Sequence, residues 1–195
     1  GGMAAVFAPV AQVLEAIAQT SDQVVIAALN GPDNVVISGA KDALNAVLEA
    51  LAAGGVEARP LAVSHAFHSP LMDPILDAFE ALAEKCHFQA PQIPLVSNLT
   101  GERLLEAPDA RYWRDHIRQP VRFATGIETV AASGAAIFLE IGPQPHLTGM
   151  AKRIARISDV GFQMSDLASL RKGQEDREVM LESLGQLFVL GFEPE

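Results

Sequence analysis

The run "SHAFHSPLM" at residues 64–72 concentrates the residues most capable of chemistry. His65 and His68 lie beside Ser64 and Ser69, directly ahead of an apolar stretch with helical spacing. Three chemistries could use this arrangement. Two imidazoles could share a metal ion, a serine and a histidine could form a nucleophile–base pair, or one histidine could be half of a pair completed elsewhere. Zinc needs at least three protein ligands in defined geometry. Cys86 is the only cysteine and no His-Glu-x-x-His run supplies the others. Asp73 is close in sequence but reads as an acid in the first turn of a helix. A Ser–His pair between sequence neighbours is disfavoured, because the nucleophile usually sits far from its base, on a sharp strand-to-helix turn of the Gly-x-Ser-x-Gly type. The chain has no such run; "LESLG" at 181–185 has leucine in place of the first glycine and lies in a helical stretch. On residue types alone, both histidines are equally readable as ordinary loop residues.

Composition narrows the classes. The 195 residues are 49% hydrophobic, enough for a sizeable core, while 19% are charged, low for a freely exposed surface. Part of the surface is therefore expected to be covered by other protein. The net charge of −10, with no basic cluster, argues against nucleic acid or an anionic membrane as partner. One cysteine excludes an internal disulfide framework; Cys86 reads as a partly buried helix residue. No apolar run reaches membrane-spanning length and no signal peptide is evident, so the expectation is a soluble, cytoplasmic protein. The opening "GGMAAVFAP" reads as the interior of a longer chain.

The elements that must position the histidines follow from periodicity. Residues 3–7, 23–30, 34–39 and 56–63 read as strands, the middle two joined by the turn signal "GPD". Residues 9–20 and 41–55 read as helices, from Val10, Val13, Leu14 and Ile17 and from Leu44, Val47, Leu48 and Leu51. The order β-α-β-β-α-β is that of the ferredoxin-like unit. Beyond it, helices are expected at 71–86 and 109–119, from 121 onward, from the loop after 142, and at 175–191, the last amphipathic. Strands are expected at 93–98 and 135–142. Two strands make a poor sheet for so many helices, so the missing strands are expected from sequence outside this chain.

The residues also resemble a known family. "HAFHSPLM" resembles the histidine motif of the malonyl-type acyltransferase domains of modular polyketide synthases, which are related to the malonyl-CoA:acyl-carrier-protein transacylases. "GGMAAV", "NGPDNVVISG", "SNLTGE", "YWRDHIRQPVRF" and "FLEIGPQPHLTGM" resemble the family in order, and "SLRKGQED" to "LESLGQLFVLGFEPE" resembles its exit tail. The resemblance implies an α/β fold: a ferredoxin-like subdomain at 1–63, the C-terminal part of an α/β-hydrolase-like acyltransferase subdomain at 64–157, and a linker with a tail helix at 158–195. It implies that the nucleophilic serine, the oxyanion loop and the arginine that binds the malonyl carboxylate precede Gly1; Arg59 does not match that arginine.

Carried over residue by residue, the resemblance makes His68 the general base and gives His116 the main-chain carbonyl that orients it. His65, Ala66 and Phe67 match positions that correlate with acyl choice, and "HAFH" resembles the malonyl-selective form. Asn30 would lie near the acyl pocket. His146 reads as structural, and His87 and the flanking serines have no assigned role. No tightly bound cofactor is implied. Coenzyme A thioester would be substrate, and the acceptor would be the phosphopantetheine thiol of an acyl carrier protein. Neighbouring synthase domains and the N-terminal half of the domain would be the other partners. Arg111, Arg114, Arg118 and Arg122 are the candidate basic patch for an acidic carrier. The other reading is a catalytically incomplete structural or docking fragment.

Overall fold

The computed structural model describes residues 1–20, 22–157 and 162–193. By their contacts they divide into two units, Gly1–Thr129 and Val130–Glu195. The ends of the expected linker and tail, at 158–161 and 194–195, lie outside the described residues.

In the first unit, β1 (Gly2–Val6), α1 (Val10–Ile17), β2 (Val24–Gly31), β3 (Asn34–Gly39), α2 (Lys41–Ala53) and β4 (Ala58–Pro60) follow the expected order. The strands form one antiparallel sheet in the order β2-β3-β1-β4. This is the ferredoxin-like order, with the two central strands buried on both faces. Ala4, Val6, Val35 and Ile37 face α1 and α2 and pack with Val13, Leu44, Val47 and Leu51. Each of these valine, isoleucine and leucine side chains contributes about 1.5–3 kcal/mol on burial, so this layer dominates the stability of the unit. On the other face Met3, Ala27 and Val36 form a smaller cluster. β4 is shorter than the expected 56–63. It is an edge strand, and Pro60 has no N–H to extend a ladder.

Next come a short 3₁₀ turn (Pro70–Met72), α3 (Asp73–Ala83), the hairpin of β5 (Leu95–Val96) and β6 (Arg103–Leu104), α4 (Ala110–Arg118) and α5 (Phe123–Ala132), across which the division between units falls. Asp109 caps α4, its carboxylate accepting from the Tyr112 N–H at 2.7 Å.

The second unit holds β7 (Ile137–Glu140), α6 (His146–Ile157), β8 (Ser165–Ala168) and α7 (Asp176–Val189). β7 and β8 pair in parallel. The sequence reading missed β8: "SDLA" carries no alternation of its own, and its pairing with β7 makes it a strand. Nor is α7 amphipathic in the expected way, since Met180, Leu181, Leu184, Phe188 and Val189 are all exposed and only Val179 is buried. Large apolar side chains are exposed elsewhere too, among them Leu71 in the 3₁₀ turn, Ile75 and Leu82 on α3, and Ile137 and Leu139 on β7. Among the described residues no helix is long and apolar enough to cross a membrane.

Glu140, at the end of β7, caps α6. Its carboxylate accepts from the N–H groups of His146, Leu147 and Thr148 at 2.9–3.1 Å and from the Thr148 hydroxyl. Burial disfavours the charge, but these hydrogen bonds outweigh it and hold the pKa below its ordinary value of 4.5. A depressed carboxylate pKa contributes stability that is fully present above the unfolded value and is lost as pH falls through the folded one. Glu140→Gln should therefore cost about 1 kcal/mol at pH 7, and the gap from wild type should close below about pH 4.5, as chemical denaturation at several pH values would measure. Gly39→Ala should be more damaging. A Cβ there would collide with the Gln23 carbonyl oxygen and lie 2.8 Å from the Val24 Cα. Backbone cannot yield as a flexible side chain can, so a loss of about 2 kcal/mol or more is expected in the same assay.

Candidate functional site

The loop carrying the histidines is held by its second serine. Ser69 is fully buried. Its hydroxyl donates to the Ala66 carbonyl at 2.6 Å and accepts from the Leu71 N–H at 3.3 Å, capping the 3₁₀ turn that Pro70 begins. Ala66 is buried; a Cβ on Gly1 would lie 2.6 Å from the Ala66 Cβ, so strand entry and loop are in close approach. Between Ala66 and Ser69 the chain turns sharply enough to place His68 at φ 58°, a left-handed conformation uncommon for a residue with a Cβ. Phe67 stays partly exposed, its ring 5.9 Å from that of His65. The His65 Nδ1 lies 2.9 Å from the Ser64 hydroxyl. Ser69 is thus a structural fastener of the loop, signalled in the sequence by a serine preceding proline at a helix start.

The His68 imidazole is held from the far side of the sequence. Its Nδ1–H donates to the main-chain carbonyl of Gln119 at 2.8 Å, which corrects the expected assignment to His116. The reason is where α4 stops. Gln119 is the C-cap, with φ −80° and ψ 156°; Pro120 follows and disfavours helical geometry at the residue before it. The Gln119 carbonyl therefore leaves the helix and needs another donor, whereas His116 is still within the last turn. The segment beyond is pinned. Val121 bridges to Ala28 of the edge strand β2, through Leu29 N–H to Val121 O at 2.8 Å and Val121 N–H to Ala27 O at 2.9 Å. The Arg122 N–H donates to Asn98 O at 2.8 Å.

A carbonyl can only accept, so Nδ1 carries the proton and the lone pair is on Nε2. Burial lowers the His68 pKa below its ordinary value of 6.5; the Gln119 hydrogen bond raises it by less, and the charge of His116 lowers it further. The ring is then neutral near pH 7, with Nε2 able to accept a proton. His116 packs its ring against Tyr112 and Trp113, at 6.0 and 5.9 Å.

The acyl transferase domain family model matches residues 1–194. The chain belongs to this family. It is 43% identical over 169 residues to the phenolphthiocerol synthesis polyketide synthase Pks15/1 of Mycobacterium bovis, an alignment covering 85% of this chain and 8% of that protein. It is 42% identical to the mycoketide-CoA synthase of Mycobacterium tuberculosis, covering 89% of this chain and 4% of that one. The crystal structure of the acyltransferase domain from the second module of the salinomycin polyketide synthase superposes with a TM-score of 0.89 at 42% identity. It covers 98% of this chain, which spans 44% of that chain. The chain therefore spans a small fraction of the length of these curated relatives and less than half of that solved chain.

The remaining expected site residues are placed as follows. Asn30 lies in β2, half-buried, in the same strand that anchors Val121. The arginines do not form a basic patch. Arg114 bonds Asp77 and Glu80 at 2.6 and 2.5 Å, Arg118 bonds Asp73 at 2.7 Å and Arg111 bonds Asp115 at 3.3 Å. Neutralised by their own chain, these three present little net charge. Arg122 alone of the four has no ion pair among the described residues. A cavity of about 520 Å³ at the end of α3 and start of α4 is lined by Glu80, Glu84, Cys86 and Arg111 among others and includes no residue of the histidine motif. Cys86 is exposed, not buried against the helix. ¹⁵N NMR of the His68 ring should show the Nδ1–H tautomer at neutral pH and a titration midpoint below 6.5; an Nε2–H tautomer, or a midpoint above that value, would refute this protonation state.

Proposed function

We propose that this chain is the C-terminal part of a malonyl-selective acyltransferase domain of a polyketide synthase, with His68 as its general base. The observation that carries the reading is the neutral imidazole with Nδ1–H committed to the Gln119 carbonyl, which leaves Nε2 as the proton acceptor. In the proposed reaction a serine supplied by sequence outside this chain attacks the thioester carbonyl of malonyl-CoA, and its proton passes to His68 Nε2. The carbon–sulfur bond breaks, and the imidazolium returns the proton to the departing coenzyme A thiolate. The phosphopantetheine thiol of a carrier protein then attacks the malonyl-serine ester. It gives its proton to Nε2 and receives the acyl group, and the serine takes the proton back.

Support for the partners comes from relatives. One structural neighbour is a type II polyketide synthase acyl-carrier protein in complex with its malonyl-transacylase, 28% identical with a TM-score of 0.78. Another is the malonyl CoA-acyl carrier protein transacylase of Clostridium perfringens, 30% identical with a TM-score of 0.81. No metal or redox cofactor enters the proposed steps, and use of coenzyme A thioesters places them in the cytoplasm. Residues 1–63 frame the acyl side with Asn30, 64–157 carry His68 and its partner, and 158–195 lead out toward the neighbouring domain. The apolar faces of α3, β7 and α7 are surfaces for the N-terminal half of the domain.

The malonyl preference is assigned to Phe67: its ring stands beside that of His65 at 5.9 Å, and in the complete pocket it would occupy volume that an α-methyl group needs. One methyl in a pocket is worth about 1–3 kcal/mol. In a complete domain Phe67→Ser, combined with His65→Tyr, should shift the methylmalonyl-to-malonyl ratio of kcat/KM upward by about tenfold; an unchanged ratio would remove these residues from the pocket wall. With labelled malonyl-CoA, the 195-residue chain alone should form no ester adduct, and the domain completed with the serine-bearing segment should form one. An adduct on the chain alone would contradict the assignment of the nucleophile and favour neither a fragment nor a docking role.

A further inference from the structure

We infer that the Asp73–Arg118 ion pair is a positioning pair that sets the hydrogen bond between His68 and Gln119; the inference rests on the proposed role of His68 for its catalytic meaning, but not for its geometry. The Arg118 Nε donates to the Asp73 carboxylate at 2.7 Å. Arg118 is the last residue of α4 and is bonded directly to Gln119, whose carbonyl receives the imidazole. Asp73 is the first residue of α3. It is joined to His68 through the Pro70–Met72 turn, which Ser69 caps and fastens back to Ala66. Each end of the ion pair thus leads by a short, rigid arm to one end of the hydrogen bond.

The same pair of helices is latched a second time. Asp73, Asp77 and Glu80 recur at the spacing that places them on one face of α3, and Arg114 and Arg118 do so on α4. Arg114 bonds Asp77 and Glu80, and these hydrogen bonds, Glu80 first and then Asp77, raise its pKa and keep it charged. The Arg114 contacts therefore fix the crossing of the two helices, and Arg118 fixes the end nearest the imidazole. The Asp73 and Arg118 side chains are 53% and 27% exposed. Ion pairs in such surroundings contribute little to stability, so the pair's main consequence is geometric. A small misplacement of a proton acceptor is costly in rate even when the fold is intact. Pro120 and the Val121 bridge define where the Gln119 carbonyl leaves the helix, and the ion pair defines where the imidazole meets it.

The test is ¹⁵N NMR of the His68 ring in the 195-residue chain, alongside kinetics of the complete domain. In Arg118→Gln and Asp73→Asn the ring should pass from a single Nδ1–H tautomer to a mixture, and the Nδ1–H should lose protection from solvent exchange. Arg118→Lys, which keeps the charge, should restore most of both. Arg111→Gln, which breaks an ion pair internal to α4, should change neither. In the complete domain Arg118→Gln should lower kcat about tenfold with KM for malonyl-CoA unchanged within about twofold. The inference is overturned if Arg118→Gln leaves tautomer and protection as in wild type, if Arg111→Gln alters them equally, or if the kinetic loss appears in KM alone. Should the ring respond as expected while His68→Ala retains full transfer activity, the positioning pair stands and the role of His68 as base falls.

Discussion

One hydrogen bond, from the His68 Nδ1–H to the Gln119 carbonyl, joins residues 51 apart in the chain and gives the candidate site its character. It fixes the tautomer, and through the tautomer it decides which nitrogen is free. Everything around it constrains one of its two ends. Ser69 closes the loop that forces His68 into a left-handed conformation. Pro120 turns the Gln119 carbonyl out of its helix. The edge of the ferredoxin-like sheet holds the following residue through two backbone hydrogen bonds. The small sheet is thus part of the machinery that orients the imidazole, in addition to packing its own core.

Electrostatics acts in the same direction. Burial and the nearby His116 both disfavour a charged His68, and the Gln119 carbonyl compensates only in part. A base that is already neutral near pH 7 does not have to lose a proton before it can take one. The arginines of α4, which look in sequence like a surface for an acidic partner, are turned inward on acids of α3 and of their own helix. The acidic balance of the chain makes that outcome understandable, because carboxylates outnumber the cations available to meet them.

The ferredoxin-like unit was legible because every piece of it has a local signal. Val10, Val13 and Ile17 repeat at helical spacing, "GPD" marks the hairpin, and Val35 and Ile37 alternate with residues of the opposite face. β8 was not legible, since Ser165–Ala168 becomes a strand only by pairing with Ile137–Glu140. At the site, the motif "HAFH" drew attention to His68 from the start, whereas its partner was placed on His116 when it belongs to Gln119. The missed signal was Pro120, which marks the residue whose carbonyl must leave the helix. Ser69, next to a histidine, has no catalytic signal, while its position before Pro70 marks it as a cap. The bridge between Ala28 and Val121 has no local signal in either segment, because it depends on two distant parts of the chain meeting.

In the proposed reaction this chain supplies the base, its orientation and part of the acyl pocket, and the nucleophile comes from elsewhere. On that proposal the exposed apolar residues of α3, β7 and α7 are surfaces for further polypeptide. The most direct measurement of this account is the rate of malonyl transfer to a carrier protein by a complete domain carrying His68→Ala. The account predicts a loss of at least about a hundredfold with the fold, by circular dichroism and thermal unfolding, preserved. Transfer at the wild-type rate would contradict it.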